Sequence, residues 1–542
     1  MLLRLLVVVA ISGLVSGFEH VGRVLGAAEA AGRVEGGASP LWPAPKSQTL
    51  GQGRVLINGD FFSFQQMQET KSSVLERAML RYTTLVKGST APDAAKQQKK
   101  KTPESPMLSS CGISVETVLP DGQEAASLDL SVDESYSLTI SASGSDCMIQ
   151  SKTVWGALHA METFTQLLTR ETDGSIACGY APVTVADSPR FSHRGVLVDS
   201  SRHYLPLDTL KKFVDSLTLS HFNVLHWHMV DAQSFPFNAP SAPEIVKGAY
   251  EPSQTYTMEQ VKELSEYAAD RGVRVMPEVD VPGHTASWGA GYPQIMPANC
   301  AKKYWKNVNN QALNPTLDET YTVVSSVLRD MQQATGTKYM HLGGDEVVYG
   351  CWDADPSIQQ YMTANGIASY TDLFSNFILK ADDMAAKLGV TPVHWEDVFI
   401  LGVKTAPNTI FNVWTDSVQI ANVTSAGYQV IAAPSNYWYL DHAANTWDVM
   451  YKYDPTTSLT SQQAALIVGG ETCMWGEMVD KENLFQKVWP TAAAVGERLW
   501  SPKETTNADE ALSRLLVFRC RMQDRGYAST PVQPGFCGTT YV

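Results

Sequence analysis

FNVLHWHMVD, Phe222 to Asp231, decides how this chain is read. A short run rich in β-branched and aromatic residues stops on a carboxylate. Alternate residues of a strand share a face, so His226 and His228 project together. Runs of the same kind recur on both sides: GVLVDSSRHY (195–204), VRVMPEVDVPGH (273–284), YMHLGGDE (339–346), TPVHWED (391–397), TIFNVWTD (409–416), QVIAAPSNYWYLD (429–441) and ALIVGGETCMWGE (465–477). Most are separated by helical stretches such as LDTLKKFVDSLTLS (207–220) and MEQVKELSEYAADRG (258–272). Strands that alternate with helices predict a closed parallel barrel, the TIM (β/α)8 architecture. No clear helix separates the last two runs. LSRLLVFRCRMQDRG (512–526) predicts a final helix.

Ahead of the barrel, VLINGDFFSF (55–64) and SYSLTISA (135–142) predict strands, while SVLERAMLRYTTLV (73–86) and TVWGALHAMETFTQLL (153–168) predict helices. The expected organisation is a signal peptide at 1–17, a flexible leader at 18–40, an α+β domain at 41–187 and the catalytic barrel with its C-terminal helix at 188–542. APDAAKQQKKKTPESP (91–106) interrupts the smaller domain and reads as a solvated loop.

The chain has 542 residues and a net charge of −15, which argues against a nucleic-acid-binding face. MLLRLLVVVAISGLVSG (1–17) has an arginine, a short apolar core and small residues after it, a secretory signal pattern too short to span a bilayer. No later segment is apolar enough to span, so no membrane span is expected. The predicted location is the secretory pathway, extracellular or lysosomal. Eight cysteines lack any CxxC motif. Their spacing favours near neighbours, Cys111–Cys147, Cys300–Cys351 and Cys520–Cys537, with Cys178 and Cys473 left as thiols. Asn422 begins a glycosylation sequon.

Barrel enzymes keep their chemistry where strands end. Those ends carry Asp199, Arg202, Asp231, Glu278, Asp280, His284, Asp345, Glu346, Trp395, Glu396, Asp397, Trp414, Asp416, Tyr439, Asp441, Trp475 and Glu477. Carboxylates that accept from hydroxyls, with rings that stack on C–H faces, suit a sugar. His226, His228, His284 and Asp231 also resemble a barrel metal site. The later strand ends offer Trp395, Trp414 and Tyr439 instead of further ligands, so no metal and no cofactor is expected. The two strand histidines then read as hydrogen-bonded beneath the site.

Asp345 and Glu346 are adjacent. An acid and a nucleophile on opposite faces of one sugar are hard to build from neighbours. A substrate that brings its own nucleophile, a 2-acetamido oxygen, removes that difficulty. Glu346 would protonate the leaving oxygen, and Asp345 would hold the acetamido N–H and steady the positive charge.

The runs VWGALHAMETFTQL, HRGVLVDSSRHYLP, FNVLHWHMVDAQSFP, VPGHTASWG, HLGGDEVVYGCW, WYLD, ETCMWGE and VWPTAAAVGERLW resemble family 20 β-N-acetylhexosaminidases of the eukaryotic lysosomal or secreted type. The likeness runs from about Cys111 to Cys537. It implies exo-acting removal of terminal GlcNAc or GalNAc with retention, through an oxazolinium intermediate. By the same resemblance Glu346 is the general acid and Asp345 the acetamido-orienting residue, and Asp231 and His284 polarise the acid. Arg202, Asp441 and Glu477 bind sugar hydroxyls, Trp395, Trp414 and Trp475 wall the ring, and Tyr439 bonds the acetamido oxygen. The expected partners are N-acetylhexosamine-terminated oligosaccharides or glycoconjugates, and the resemblance implies a homodimer. The other reading is a secreted sugar-binding protein that has lost catalysis.

Overall fold

The computed structural model describes residues 39–59, 61–88, 107–119 and 123–542. The signal peptide, most of the leader and all of the lysine-rich stretch lie outside them. The first eight strands build the N-terminal sheet: β1 Ser47–Ile57, β2 Ser63–Gln66, β3 Met107–Leu108, β4 Ser110–Val115, β5 Tyr136–Ile140, β6 Cys147–Ser151, β7 Leu168–Arg170 and β8 Ile176–Asp187. The next eight close a barrel: β9 His193–Asp199, β10 Val224–Val230, β11 Arg274–Val279, β12 Tyr339–His341, β13 Thr391–Trp395, β14 Ile410–Val413, β15 Gln429–Ala432 and β16 Ile467–Met474. A last strand, β17 Thr540–Tyr541, returns to the N-terminal sheet and pairs with β7.

The barrel runs in sequence order, β9 closing on β16, and every pairing within it is parallel. β9, β10 and β16 are buried along their whole length, as parallel strands covered on both faces must be. The covering helices are amphipathic. Leu207–Thr218 buries Leu210, Phe213, Val214 and Leu217, and Met258–Ala269 buries Val261, Leu264 and Ala268. Between β15 and β16 the usual crossover helix is replaced by three short ones, Ser435–Trp438, Trp447–Lys452 and Ser461–Ala464, which is why no helix is legible there.

In the N-terminal sheet the order is β17-β7-β8-β5-β6-β4-β2, with β1 pairing both β3 and β8. Helices Ser73–Lys87 and Val154–Gln166 pack with it, and the second is buried throughout. The joint to the barrel is polar and closed. Glu134 lies 2.6 Å and 2.9 Å from the Arg194 guanidinium and 2.9 Å from His159 Nε2. Trp500, at the end of helix Thr491–Trp500 of the barrel, belongs to the core of the smaller domain. Disulfides join Cys111–Cys147, Cys300–Cys351 and Cys520–Cys537, and Cys178 and Cys473 are buried thiols. No helix among the described residues is long and apolar enough to cross a membrane.

Candidate active site

Successive strand residues point to opposite faces, so Asp345 and Glu346 share a cavity only if the backbone turns between β12 and them. It does. Gly343 (φ 63°), Gly344 (φ 95°) and Glu346 (φ 49°) all take left-handed conformations. Space demands the glycines as well: a Cβ on Gly343 would meet Asp280 Oδ1 at 1.9 Å, and one on Gly344 would meet Val398 Cγ2 at 2.5 Å. Both carboxylates are thereby delivered to one imidazole. His284 Nε2 lies 3.5 Å from Glu346 Oε2 and 4.0 Å from Asp345 Oδ2.

Their surroundings differ. The Glu346 side chain is 57% exposed and that of Asp345 only 14%. The approach of the His284 imidazole holds the Glu346 carboxyl below its usual range. Burial pushes Asp345 well above its own, reinforced by the charge of Asp280 beside it. Asp280 is itself raised to about 6 by burial. Asp345 Oδ1 has no protein partner among the described residues.

His284 is fixed from behind, its Nδ1 lying 3.2 Å from Asp231 Oδ1. Burial alone would neutralise this imidazole, but the Asp231 charge outweighs it and keeps His284 cationic. Asp231 in turn meets Arg202 Nη2 at 2.8 Å and His228 Nε2 at 2.8 Å. A chain of alternating partners then descends the barrel axis. His228 Nδ1 lies 2.6 Å from Glu278, His226 Nε2 lies 3.0 Å from the same carboxylate, and His226 Nδ1 lies 2.8 Å from Glu471. His193 Nε2 closes it, 3.3 Å from Glu471. His226 and His228 are thus hydrogen-bonded beneath the site.

Arg202 projects from the loop after β9. It donates to Asp199 at 2.8 Å and to Gln233 at 3.0 Å, lies 3.4 Å from Glu477, and sits over the Trp475 ring at 5.2 Å. Trp475 faces Trp395 at 6.1 Å and Tyr439 at 6.2 Å between ring centroids. Trp395 Nε1 donates to Glu278 at 2.9 Å, and Trp414 Nε1 donates to Asp397 at 2.9 Å. Tyr439 is buried, and Asp441 stands at the rim with its side chain 34% exposed. All the residues proposed from the sequence as catalytic or sugar-binding thus stand at the C-terminal ends of the barrel strands or in the loops that follow. Asn422 lies apart, exposed on helix Ser417–Ser425, while the Thr424 hydroxyl of its sequon is buried against Ile420 O at 2.7 Å.

Four supporting residues escaped assignment. Asp280 lies beside Asp345, and its charge helps to raise the Asp345 pKa. Asp397 accepts from Trp414 and from the Glu346 N–H, the latter at 3.3 Å. Both stand at strand ends, so position had flagged them without a role. Gln233 follows β10 within HMVDAQ. Glu471 sits inside β16, where a search of strand ends does not look. Two groups bring three possible metal donors within 4.8 Å of one another: His226, Glu278 and His341, and Asp280, His284 and Asp345. In the first, His226 already meets Glu278 and Glu471, and His341 Nδ1 lies 3.2 Å from Glu278. In the second, the imidazole is cationic and cannot ligate while it holds that proton.

Residues 191–503 match the family model described as glycosyl hydrolase family 20, catalytic domain, and residues 41–167 match one described as beta-acetyl hexosaminidase like. The chain is 36% identical to the human beta-hexosaminidase subunit beta, over 99% of this chain and 97% of that one. It is 39% identical to the Bos taurus beta-hexosaminidase subunit alpha, over 93% and 96%. Among solved structures it resembles the Flavobacterium johnsoniae chitobiase with a TM-score of 0.76 and 25% identity, covering 90% of this chain and 73% of that one.

Proposed function

The chain belongs to glycosyl hydrolase family 20 and is a β-N-acetylhexosaminidase, and on that premise we propose how its own residues carry out the reaction. The enzyme removes terminal N-acetylhexosamine by substrate-assisted, retaining hydrolysis. Glu346 gives its proton to the glycosidic oxygen as the C1–O bond breaks. The acetamido carbonyl oxygen forms the new bond to C1 from the opposite face, producing the oxazolinium. Asp345 accepts from the acetamido N–H and stabilises that cation. Water then attacks C1, Glu346 takes a proton from it, and the oxazolinium C1–O bond opens. Two inversions leave the configuration unchanged.

Arg202, Glu477 and Asp441 bind the sugar hydroxyls. Trp395, Trp414 and Trp475 enclose the acetamido group and the ring, and the Tyr439 hydroxyl donates to the acetamido oxygen. Asp231 and His284 orient and polarise Glu346. The observation that carries this reading is the delivery of two adjacent carboxylates to one imidazole beside an aromatic box. It is tested by comparing aryl β-glycosides of GlcNAc and glucose, with a thiazoline inhibitor alongside. GlcNAc cleavage, little or no glucose cleavage and tight thiazoline binding are expected. Equal rates on both sugars, or a sugar ester trapped on a side chain, overturn the mechanism.

The domain boundaries we propose are 41–187 for the smaller domain and 188–542 for the barrel with its C-terminal helix, although β17 pairs with the smaller domain's sheet. Three disulfides support the secretory pathway, extracellular or lysosomal, as the location. Asn422 is proposed to carry a glycan. The relatives are named as subunits, which supports an assembly of some kind; we propose a homodimer, and light scattering coupled to gel filtration tests it.

A further inference from the structure

A cavity of about 340 Å³ lies at the opposite end of the barrel from the active site. Its floor is apolar, made of Val224, Met276, Ile410 and Ile431 at or near the starts of their strands, and Leu130 packs against it from the smaller domain. One strong charge enters it. Arg274 opens β11 and lines the cavity. Its Nη2 donates to Ser192 O at 3.3 Å, but its buried Nη1 has no partner and the side chain forms no ion pair among the described residues. A buried guanidinium donor left unmatched is costly, and a carboxylate is its best partner. At the rim Lys262 and Lys338 are each matched, Lys262 at 3.8 Å from Glu266, which also lines the cavity, and Lys338 at 3.0 Å from Asp129, so Arg274 is the cation left unpaired among the described residues there. Burial lowers the Arg274 pKa to about 10, so the group is cationic at any working pH.

The geometry points to this lower cavity as a binding site for a small anionic amphiphile, a carboxylate with an apolar body of about ten carbons, its head on Arg274 and its tail on the floor. Apolar area gives affinity, and the single cation gives the preference for an acid over an alcohol. The active site takes no part, since Arg274 and Glu346 belong to opposite ends of the barrel.

Calorimetric titration of the full chain with decanoate, and with decanol as the uncharged counterpart, tests the assignment. Decanoate is expected to bind at least about 10-fold more tightly than decanol. Arg274→Met should erase that preference while hydrolysis of an aryl GlcNAc glycoside persists. Ala269→Phe, at the half-buried rim, should block both ligands. It also decides the matter should Arg274→Met fail to fold. No binding by the wild type, decanoate binding unchanged in Arg274→Met, or both ligands binding unchanged in Ala269→Phe each overturns the proposal.

Discussion

Glu346 and His284 set the working pH between them. A general acid must be protonated, so kcat/KM falls as pH rises through the acid's pKa in the free enzyme. Here the imidazolium of His284 depresses that pKa, which places the fall on the acidic side. His284→Asn removes the cation and suits the left-handed backbone at this position (φ 55°). The alkaline limb of kcat/KM is expected to move to higher pH, and a limb that stays put refutes the coupling. Glu346→Gln should cost about 10²- to 10⁴-fold for a leaving group that needs protonation, and much less for one that departs unaided. Rates on two aryl glycosides of different phenol pKa check this. The adjacency of the two carboxylates was legible in HLGGDE because it is a covalent fact. The roles of Asp280 and Asp397 were not, because each acts through a contact that only the closed barrel makes.

Turns and braces hold these groups at the scale of single elements. Gly343→Ala would add a methyl group 1.9 Å from Asp280 in a left-handed conformation, and it should lower kcat by about 10²-fold through misplacement of the carboxylates. Near-normal kcat would show that the loop relaxes freely. The Cys300–Cys351 bridge closes 51 residues and ends five residues past Glu346, so removing both cysteines should cost about 2 to 4 kcal/mol in chemical denaturation. The eight barrel strands were legible because strands buried on both faces read as short apolar runs bounded by polar ends. β8 was not singled out, although Ala181, Val183, Val185 and Asp187 alternate inward with period two. β17 has two residues and no pattern. It exists because β7 offers a free edge, and the Asp524 carboxylate accepts from the Tyr541 N–H at 2.8 Å.

An ion cluster sealed from water joins the two domains. Burial alone would raise the pKa of Glu134, yet the Arg194 guanidinium holds it far below the usual carboxylate range. Glu134→Gln leaves Arg194 buried and uncompensated, and should cost about 3 to 5 kcal/mol. A carboxylate with a depressed folded pKa contributes fully above its unfolded value, near 4.3, and loses that contribution only as pH falls through the lower folded value. The gap between wild type and variant should therefore hold from neutral pH down to about 4 and narrow below it, as followed by denaturant midpoints. A gap that closes already at pH 6 would mean that the pair is solvated.

The alternation of imidazole and carboxylate from His284 to Glu471 means that, above its apolar floor, the barrel is threaded by a string of charge. Each link constrains the next, so no member can be exchanged for an apolar residue without unbalancing its neighbours. A change on an outer helix disturbs only its own packing, whereas a change along this axis is felt from one mouth of the barrel to its interior.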